Sequence, residues 1–174
     1  LAGFALTSSR DYPERSDDVA RALSVAYTAA YFANDKATGD LVSLVQQTAW
    51  NYPQPALSAL DVLVSLTHAR RAARIDTSGR LLTLAEQDRS LWRSDETTAA
   101  LRRYTALAPS AGYAEELRAY ATIEAAHSLA PDIERTNWGL IEAAHDRLAQ
   151  LGDSPLDRLE EAAGRAAAGR SVAI

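Results

Sequence analysis

Apolar residues recur every three or four positions over most of this chain, the spacing that places side chains on one face of an α-helix. One such stripe runs from Val19 to Tyr31 and another from Leu41 to Tyr52. Alanine and leucine, which lose little conformational freedom on entering a helix, dominate the apolar residues. The pattern predicts an all-α fold.

Turn and capping signals divide the periodic stretches into seven or eight helices. The second helix should end before Pro53, whose ring excludes helical geometry at the preceding residue, and the third should run from after Pro55 to about Arg74. A turn signal that starts at Asp76 predicts a loop and then a short helix. The other helices are predicted at about 17–33, 40–51, 95–108, 113–129, 135–151 and 154–168.

The predicted helices follow one another through short connections, so we expect antiparallel hairpins. The length of 174 residues suits a single helical domain, residues 1–174, with 1–16 and 169–174 as loose termini. A tetratricopeptide-like array and an irregular bundle both remain open. The sequence contains no methionine, so we do not expect Leu1 to be a translation start. We expect the numbered chain to be a fragment, a processed product or the ordered part of something longer.

Composition excludes several classes of function. The formal net charge of −5 disfavours direct binding to nucleic acid. The absence of cysteine excludes disulfides, thiolate zinc sites and thiol nucleophiles. No apolar run approaches the roughly 18 to 20 residues that span a bilayer. We therefore expect a cytoplasmic protein without membrane contact.

Two copies of Glu-x-x-His suggest a metal site. Residues three apart share one helix face, and an antiparallel hairpin would bring the two copies level. Carboxylate and imidazole suit iron or manganese, and di-metal bundles use two such motifs with two further acids. Those acids could be Asp61, Glu86 or Asp88. The predicted metal ligands are Glu124, His127, Glu142 and His145.

A purely structural interpretation competes with the metal site. Alanine-rich helices often carry glutamate on their exposed face, and a histidine on an apolar stripe is often a satisfied interior residue. Against this, Glu142 lies four residues after Trp138 and Glu124 four after Tyr120. Both acids then lean toward the buried side, where an unpaired carboxylate is costly.

A second group of polar residues flanks the loop that follows the third helix. Arginines before the loop and acids after it can form an ion-pair network, with the Trp92 ring under a guanidinium. The network would either fix the loop or receive an anionic ligand or an acidic partner. Its predicted members are Arg70, Arg74, Asp88, Arg89 and Trp92, together with Arg71 and Glu86. A separate aromatic group, formed by Tyr27, Tyr31, Trp50 and Tyr52, is interpreted as core.

Four segments of the chain carry a family resemblance. The most specific is HARRAARIDTSGRLLTLAEQDRSLW, residues 68–92, at its ARRAAR, D..GRL and L..QDRS.W positions. The others are YPERSDDVARALSVAYTAAYF, GYAEELRAYATIEAAHSLAP and TNWGLIEAAHDRLAQLGDSP. Together they cover most of the chain. They resemble extracytoplasmic-function sigma factors that carry a long helical C-terminal extension.

The resemblance implies a function without enzymatic activity. It implies a tetratricopeptide-like regulatory domain that modulates transcription initiation through contacts with RNA polymerase or the sigma-factor core, and it implies no cofactor. Grooves between helix pairs would be the contact surface. The alternative from the Glu-x-x-His motifs is an iron- or manganese-dependent oxidative enzyme acting on a small molecule. A third interpretation is a protein that binds a small molecule between its helices without catalysis.

Overall fold

The computed structural model describes residues 12–33 and 36–152, and their regular structure is helical. Two 3-10 turns, Arg71–Ala73 and Arg89–Leu91, lie in the connection between the third and fourth α-helices. The α-helices of these ranges are α1 (Tyr12–Phe32), α2 (Thr38–Asn51), α3 (Pro55–Ala69), α4 (Ser94–Tyr104), α5 (Gly112–Leu129) and α6 (Trp138–Leu151).

The prediction of an all-α fold is confirmed. Six α-helices lie within the described ranges, where seven or eight were predicted for the whole chain, and the expected short helix is the 3-10 turn Arg89–Leu91. The predicted helix 154–168 and the terminus 169–174 lie outside the described residues. At the other end, α1 is already helical from Tyr12, so the segment expected to be loose up to residue 16 is partly helix.

Helix α3 is the centre of the fold and packs against α1, α2, α4 and α5. Its sequence PALSALDVLVSLTHA is apolar on nearly every side, which is the signature of a helix enclosed by others. Pro55 opens it at a position where the missing N–H costs nothing. Leu60, Val62, Val64 and Leu66 are fully enclosed and join the core to the flanking helices.

Helix α3 ends at Ala69 instead of the predicted Arg74 because a distant part of the chain takes one of its carbonyls. The Ala69 carbonyl accepts the backbone N–H of Arg93 at 3.0 Å. The Ala73 N–H, which an α-helix would give to Ala69, bonds Arg70 instead at 3.0 Å. The chain therefore tightens into the 3-10 turn Arg71–Ala73.

The loop between the two 3-10 turns is stapled by its own polar groups. Ile75 and Leu81 form an isolated antiparallel bridge, and Asp76 accepts the backbone N–H groups of Ser78 and Arg80, each at 2.9 Å. The turn needs a φ of +87° at Gly79, a conformation that glycine adopts without strain. The turn signal at Asp76 is thus confirmed.

Helices α5 and α6 form an antiparallel hairpin, as predicted. Glu115 near the start of α5 bonds Arg147 near the end of α6 at 3.1 Å. His127 near the end of α5 packs edge-on against Trp138, the first residue of α6, with ring centroids 5.7 Å apart. This hairpin carries both Glu-x-x-His motifs.

A helix that crosses a bilayer needs about 20 predominantly apolar residues. Helix α1 has 21 residues but includes Asp17, Asp18 and Arg21. Among the residues that the structure describes, no helix combines the length and the apolar character needed to cross a bilayer.

Candidate functional site

The hairpin that carries the Glu-x-x-His motifs forms, yet two of the four predicted metal ligands face solvent. Helix α6 buries Ile141, Ala144 and Leu148. Glu142 and His145 each follow one of these buried residues by a single position, a rotation of about 100° around the helix. Both are exposed, so neither of the metal ligands predicted on α6 faces those predicted on α5.

The two predicted ligands on α5 have other partners. Glu124 forms a close ion pair with Arg70, which follows the end of α3. His127 is buried against Trp138, and burial lowers the pKa of its imidazole, which favours the neutral form. Over residues 12–33 and 36–152, no three His, Cys, Asp or Glu side chains are grouped so as to hold a metal ion. The structure therefore does not bring the four predicted ligands together.

The three acids considered as further metal ligands are likewise placed elsewhere. Asp61 on α3 pairs with Arg103 of α4 at 2.7 Å. Glu86 pairs with Arg80 at 2.9 Å inside the loop. Asp88 caps the 3-10 turn by accepting a backbone N–H two residues later, at 2.9 Å.

Three members of the predicted ion-pair group come together around one indole ring. The guanidinium carbons of Arg70 and Arg89 lie 5.5 Å and 4.3 Å from the centroid of Trp92. Arg89 also donates to the carbonyl oxygens of His127 and Ala130, at 2.9 Å and 2.8 Å, where α5 ends. We call Arg70, Arg89, Trp92, Glu124 and His127 the arginine–tryptophan cluster. It fastens the loop to α3 and α5.

The other predicted members of that group lie apart. Arg74 is buried over the ring of Tyr31, 3.5 Å from its centroid, and donates to the Tyr31 carbonyl near the end of α1. Arg71 pairs with Glu96 of α4 at 2.7 Å. The expected network is therefore formed in part only, and the acids that pair with its arginines are Glu124 and Glu96 instead of Glu86 and Asp88.

An open groove of about 1150 Å³ runs between α2 and α4, with α3 as its floor. Trp50 on α2 stands at its edge with 87% of its surface exposed. Leu107, which follows α4, contributes an apolar surface. We call this feature the α2–α4 groove. Its described lining runs from Gly39 to Leu107 along the chain.

A polar junction on the floor of the α2–α4 groove joins three helices. Ser65 of α3 accepts hydrogen bonds from Gln46 of α2 at 3.1 Å and from Arg103 of α4 at 3.0 Å. It donates to Asp61 at 3.1 Å. The side chain of Asp61 is only 8% exposed, and its charge is compensated by Arg103. These bonds link α2 and α4 through α3, so the groove has a defined width.

The predicted aromatic core group divides into a buried half and an exposed half. Tyr27 and Tyr31 stack with ring centroids 5.5 Å apart and belong to the core. Trp50 and Tyr52 are exposed, so their assignment to the core is wrong. The sequence-based predictions do not include the groove, although the sequence contains a signal for it. Gln46 and Gln47 precede Trp50 by four and three residues, so all three share one face of α2, and the two amides mark that face as polar.

Comparisons with known proteins place most of this structure in one family. A family of unknown function, DUF6596, matches residues 15–108. An uncharacterized protein of Rhizobium meliloti (strain 1021) is 33% identical over 112 residues, which are 63% of this chain. The chain spans about a quarter, 26%, of the length of that relative. No solved structure matches the chain.

The matched segment contains helices α2, α3 and α4 and the whole described lining of the α2–α4 groove. Glu124 and His127 of the arginine–tryptophan cluster lie beyond it. Because the match extends over more than half of the sequence, the chain belongs to the family of unknown function DUF6596.

Proposed function

We propose that this chain is a regulatory domain that binds RNA polymerase or a sigma-factor core through the α2–α4 groove and so modulates transcription initiation. The partner is suggested by the resemblance of residues 68–92 and three further segments to sigma-factor extensions. The binding surface is suggested by the α2–α4 groove, which is open and has the exposed Trp50 in its lining. Such a partner would make the cytoplasm its place of action.

The observation that carries the proposal is the exposure of Trp50. A tryptophan that is 87% exposed contributes little to the core of its own chain and presents a large apolar surface to water. Tryptophan is enriched among the residues that dominate binding energy at protein interfaces. Trp50 also lines a groove whose walls, α2 and α4, are linked by the hydrogen bonds that Gln46 and Arg103 donate to Ser65. A partner would meet a surface that is already formed, which lowers the entropic cost of binding.

Replacing Trp50 with alanine is expected to weaken binding of the partner at least tenfold, the usual scale for a dominant interface residue. The free energy of unfolding should change by less than about 0.5 kcal/mol, because the side chain is exposed. The measurement is the affinity of the whole chain for purified RNA polymerase core and for an isolated sigma-factor core, with urea unfolding of each variant.

Trp138 provides a matched control, since it is a tryptophan with 53% exposure that lies on α6 outside the groove. Trp138→Ala should bind the partner as the unmodified chain does. Absence of binding to both the polymerase and the sigma-factor core would refute the assignment of the partner. Equal affinities of the Trp50→Ala and Trp138→Ala variants would refute the assignment of the surface.

A further inference from the structure

The floor of the α2–α4 groove is a polar stripe on an otherwise apolar helix. Ser58, Asp61, Ser65 and His68 line the groove from α3 at spacings of three, four and three, which places them on one face. Helix α2 adds amide side chains to one wall. These amides are Gln46, Gln47 and Asn51. Hydrogen-bonding groups therefore accompany the groove along its length.

One of these groups has unused bonding capacity. The Nδ1 atom of His68 is buried and has no hydrogen-bond partner within the described parts of the chain. Burial lowers the pKa of His68, which favours the neutral ring. A buried polar atom without a partner is costly, so His68 adds to the groove lining a side chain whose hydrogen bonding the fold leaves incomplete.

The polar stripe distinguishes between two kinds of protein segment. A helical segment satisfies its backbone N–H and C=O groups internally and would bring apolar side chains onto Ser58, Asp61 and Ser65. An extended segment carries unpaired backbone groups at every residue, and the side chains of Ser58, Gln47 and Asn51, which lie outside the polar junction, can bond them. The composition of the floor favours the extended form.

The charges that line the groove are balanced within the fold. Asp61 pairs with Arg103 at 2.7 Å and Glu96 pairs with Arg71 at 2.7 Å. A charged side chain entering the groove would lose hydration and compete with an existing ion pair. An uncharged segment avoids this cost.

The length of the groove sets the size of the segment. From Gly39 to Asn51, α2 rises by about 18 Å at 1.5 Å per residue. An extended chain advances about 3.3 Å per residue, so five or six residues fill that length.

We propose, as a refinement of the function proposed above, that the α2–α4 groove binds an extended, uncharged segment of five or six residues. The groove would bind the main chain of this segment, and one of its apolar side chains would pack on Trp50.

A selection from a phage-displayed library of random twelve-residue peptides tests this proposal. The whole chain is the target, and peptides that also bind the Trp50→Ala variant are discarded. The expected consensus has apolar positions at intervals of two, as in an extended chain, and no charged residue over five or six positions. A consensus repeating every three or four residues, a required charge, or no enrichment over the Trp50→Ala variant would overturn the proposal.

A second measurement separates main-chain recognition from simple apolar contact. Gln47→Leu and Asn51→Leu remove exposed amides from α2 while keeping side chains of similar size. Each should weaken a selected peptide severalfold, and the two together about tenfold or more. Gln150→Leu, an exposed amide on α6, is the matched control and should have no effect. Unchanged or tighter binding by the α2 variants would show that the amides do not bind the main chain.

These results remain distinct from those of the polymerase and sigma-factor experiment. Selection of extended, uncharged peptides together with failure to bind polymerase or sigma core would reject the partner proposed above and retain the groove as a peptide site. Binding of the partner together with a helical consensus would retain the function and reject the extended mode.

Discussion

Replacing Glu124 with alanine is expected to lower the free energy of unfolding by about 3 to 5 kcal/mol, because the change leaves a buried charge without its partner. That charge is the guanidinium of Arg70, which is 6% exposed. Trp92 lies 5.5 Å from it but cannot neutralise it. Urea unfolding followed by circular dichroism measures the change.

Two matched variants show where the effect originates. Glu142→Ala removes the corresponding acid of the other Glu-x-x-His motif, which is exposed on α6, and should cost less than about 0.5 kcal/mol. Arg70→Leu combined with Glu124→Leu should recover much of the loss, because it removes both charges and refills the space. If Glu142→Ala were as destabilising as Glu124→Ala, and a metal chelator destabilised the unmodified chain equally, the motifs would be acting as a metal site.

The helices are predictable because their determinants are local. The stripe of α2 and the proline that follows it are readable in sequence, and α2 ends at Asn51 as expected. The end of α3 is different, since it depends on the N–H of Arg93, which reaches Ala69 across the loop. No local pattern around Arg74 predicts that the N–H of Arg93 bonds the Ala69 carbonyl in place of the Ala73 N–H.

The sequence does not reveal that the four predicted metal ligands lie apart, because spacing fixes only the relative position of two side chains on a helix. The absolute direction depends on which stripe is buried, and in α6 that stripe is Ile141, Ala144 and Leu148. Trp138 does not mark the buried side of α6, since it is 53% exposed, so a prediction that starts from it places Glu142 on the wrong face. In an alanine-rich helix, few large apolar residues mark the buried face, so one exposed aromatic residue is enough to make the predicted face wrong.

The pairing of Arg70 with Glu124 illustrates a second limit. The two residues are 54 positions apart, and nothing near either one selects the other. The sequence instead predicts that Arg70 joins a network with the acids that follow the loop, Glu86 and Asp88. The packing of α5 on α3 decides the partner, so the correct pair becomes visible only in the folded chain.

Glu115 is a second buried acid that links elements distant in sequence. Its side chain is 3% exposed and bonds Arg118 of the same helix at 2.6 Å and Arg147 of α6 at 3.1 Å. It also accepts the backbone N–H of Ser110 at 3.0 Å, just before α5. The hydrogen bonds of Arg118, followed by those of Ser110 and Arg147, outweigh burial and lower the pKa of Glu115 to about 2 from its ordinary value of 4.5.

Glu115→Gln is therefore expected to lower the free energy of unfolding by about 3 kcal/mol at neutral pH, an upper estimate from this pKa difference at about 1.4 kcal/mol per unit. Because the pKa of Glu115 is lower in the folded chain than in the unfolded chain, its carboxylate stabilises the fold, and this stabilisation is complete above about pH 4.5. The stabilisation is lost as the pH falls through about 2, because the carboxylate of the folded chain then takes up a proton. The difference in the free energy of unfolding between the unmodified chain and the variant should shrink to near zero over that range.

Urea unfolding at pH 7, 4.5, 3 and 2 measures this difference, with the exposed Glu142→Gln as the control. A difference between the two chains that stayed constant from pH 7 to pH 2 would show that the charge of Glu115 does not stabilise the α5–α6 hairpin.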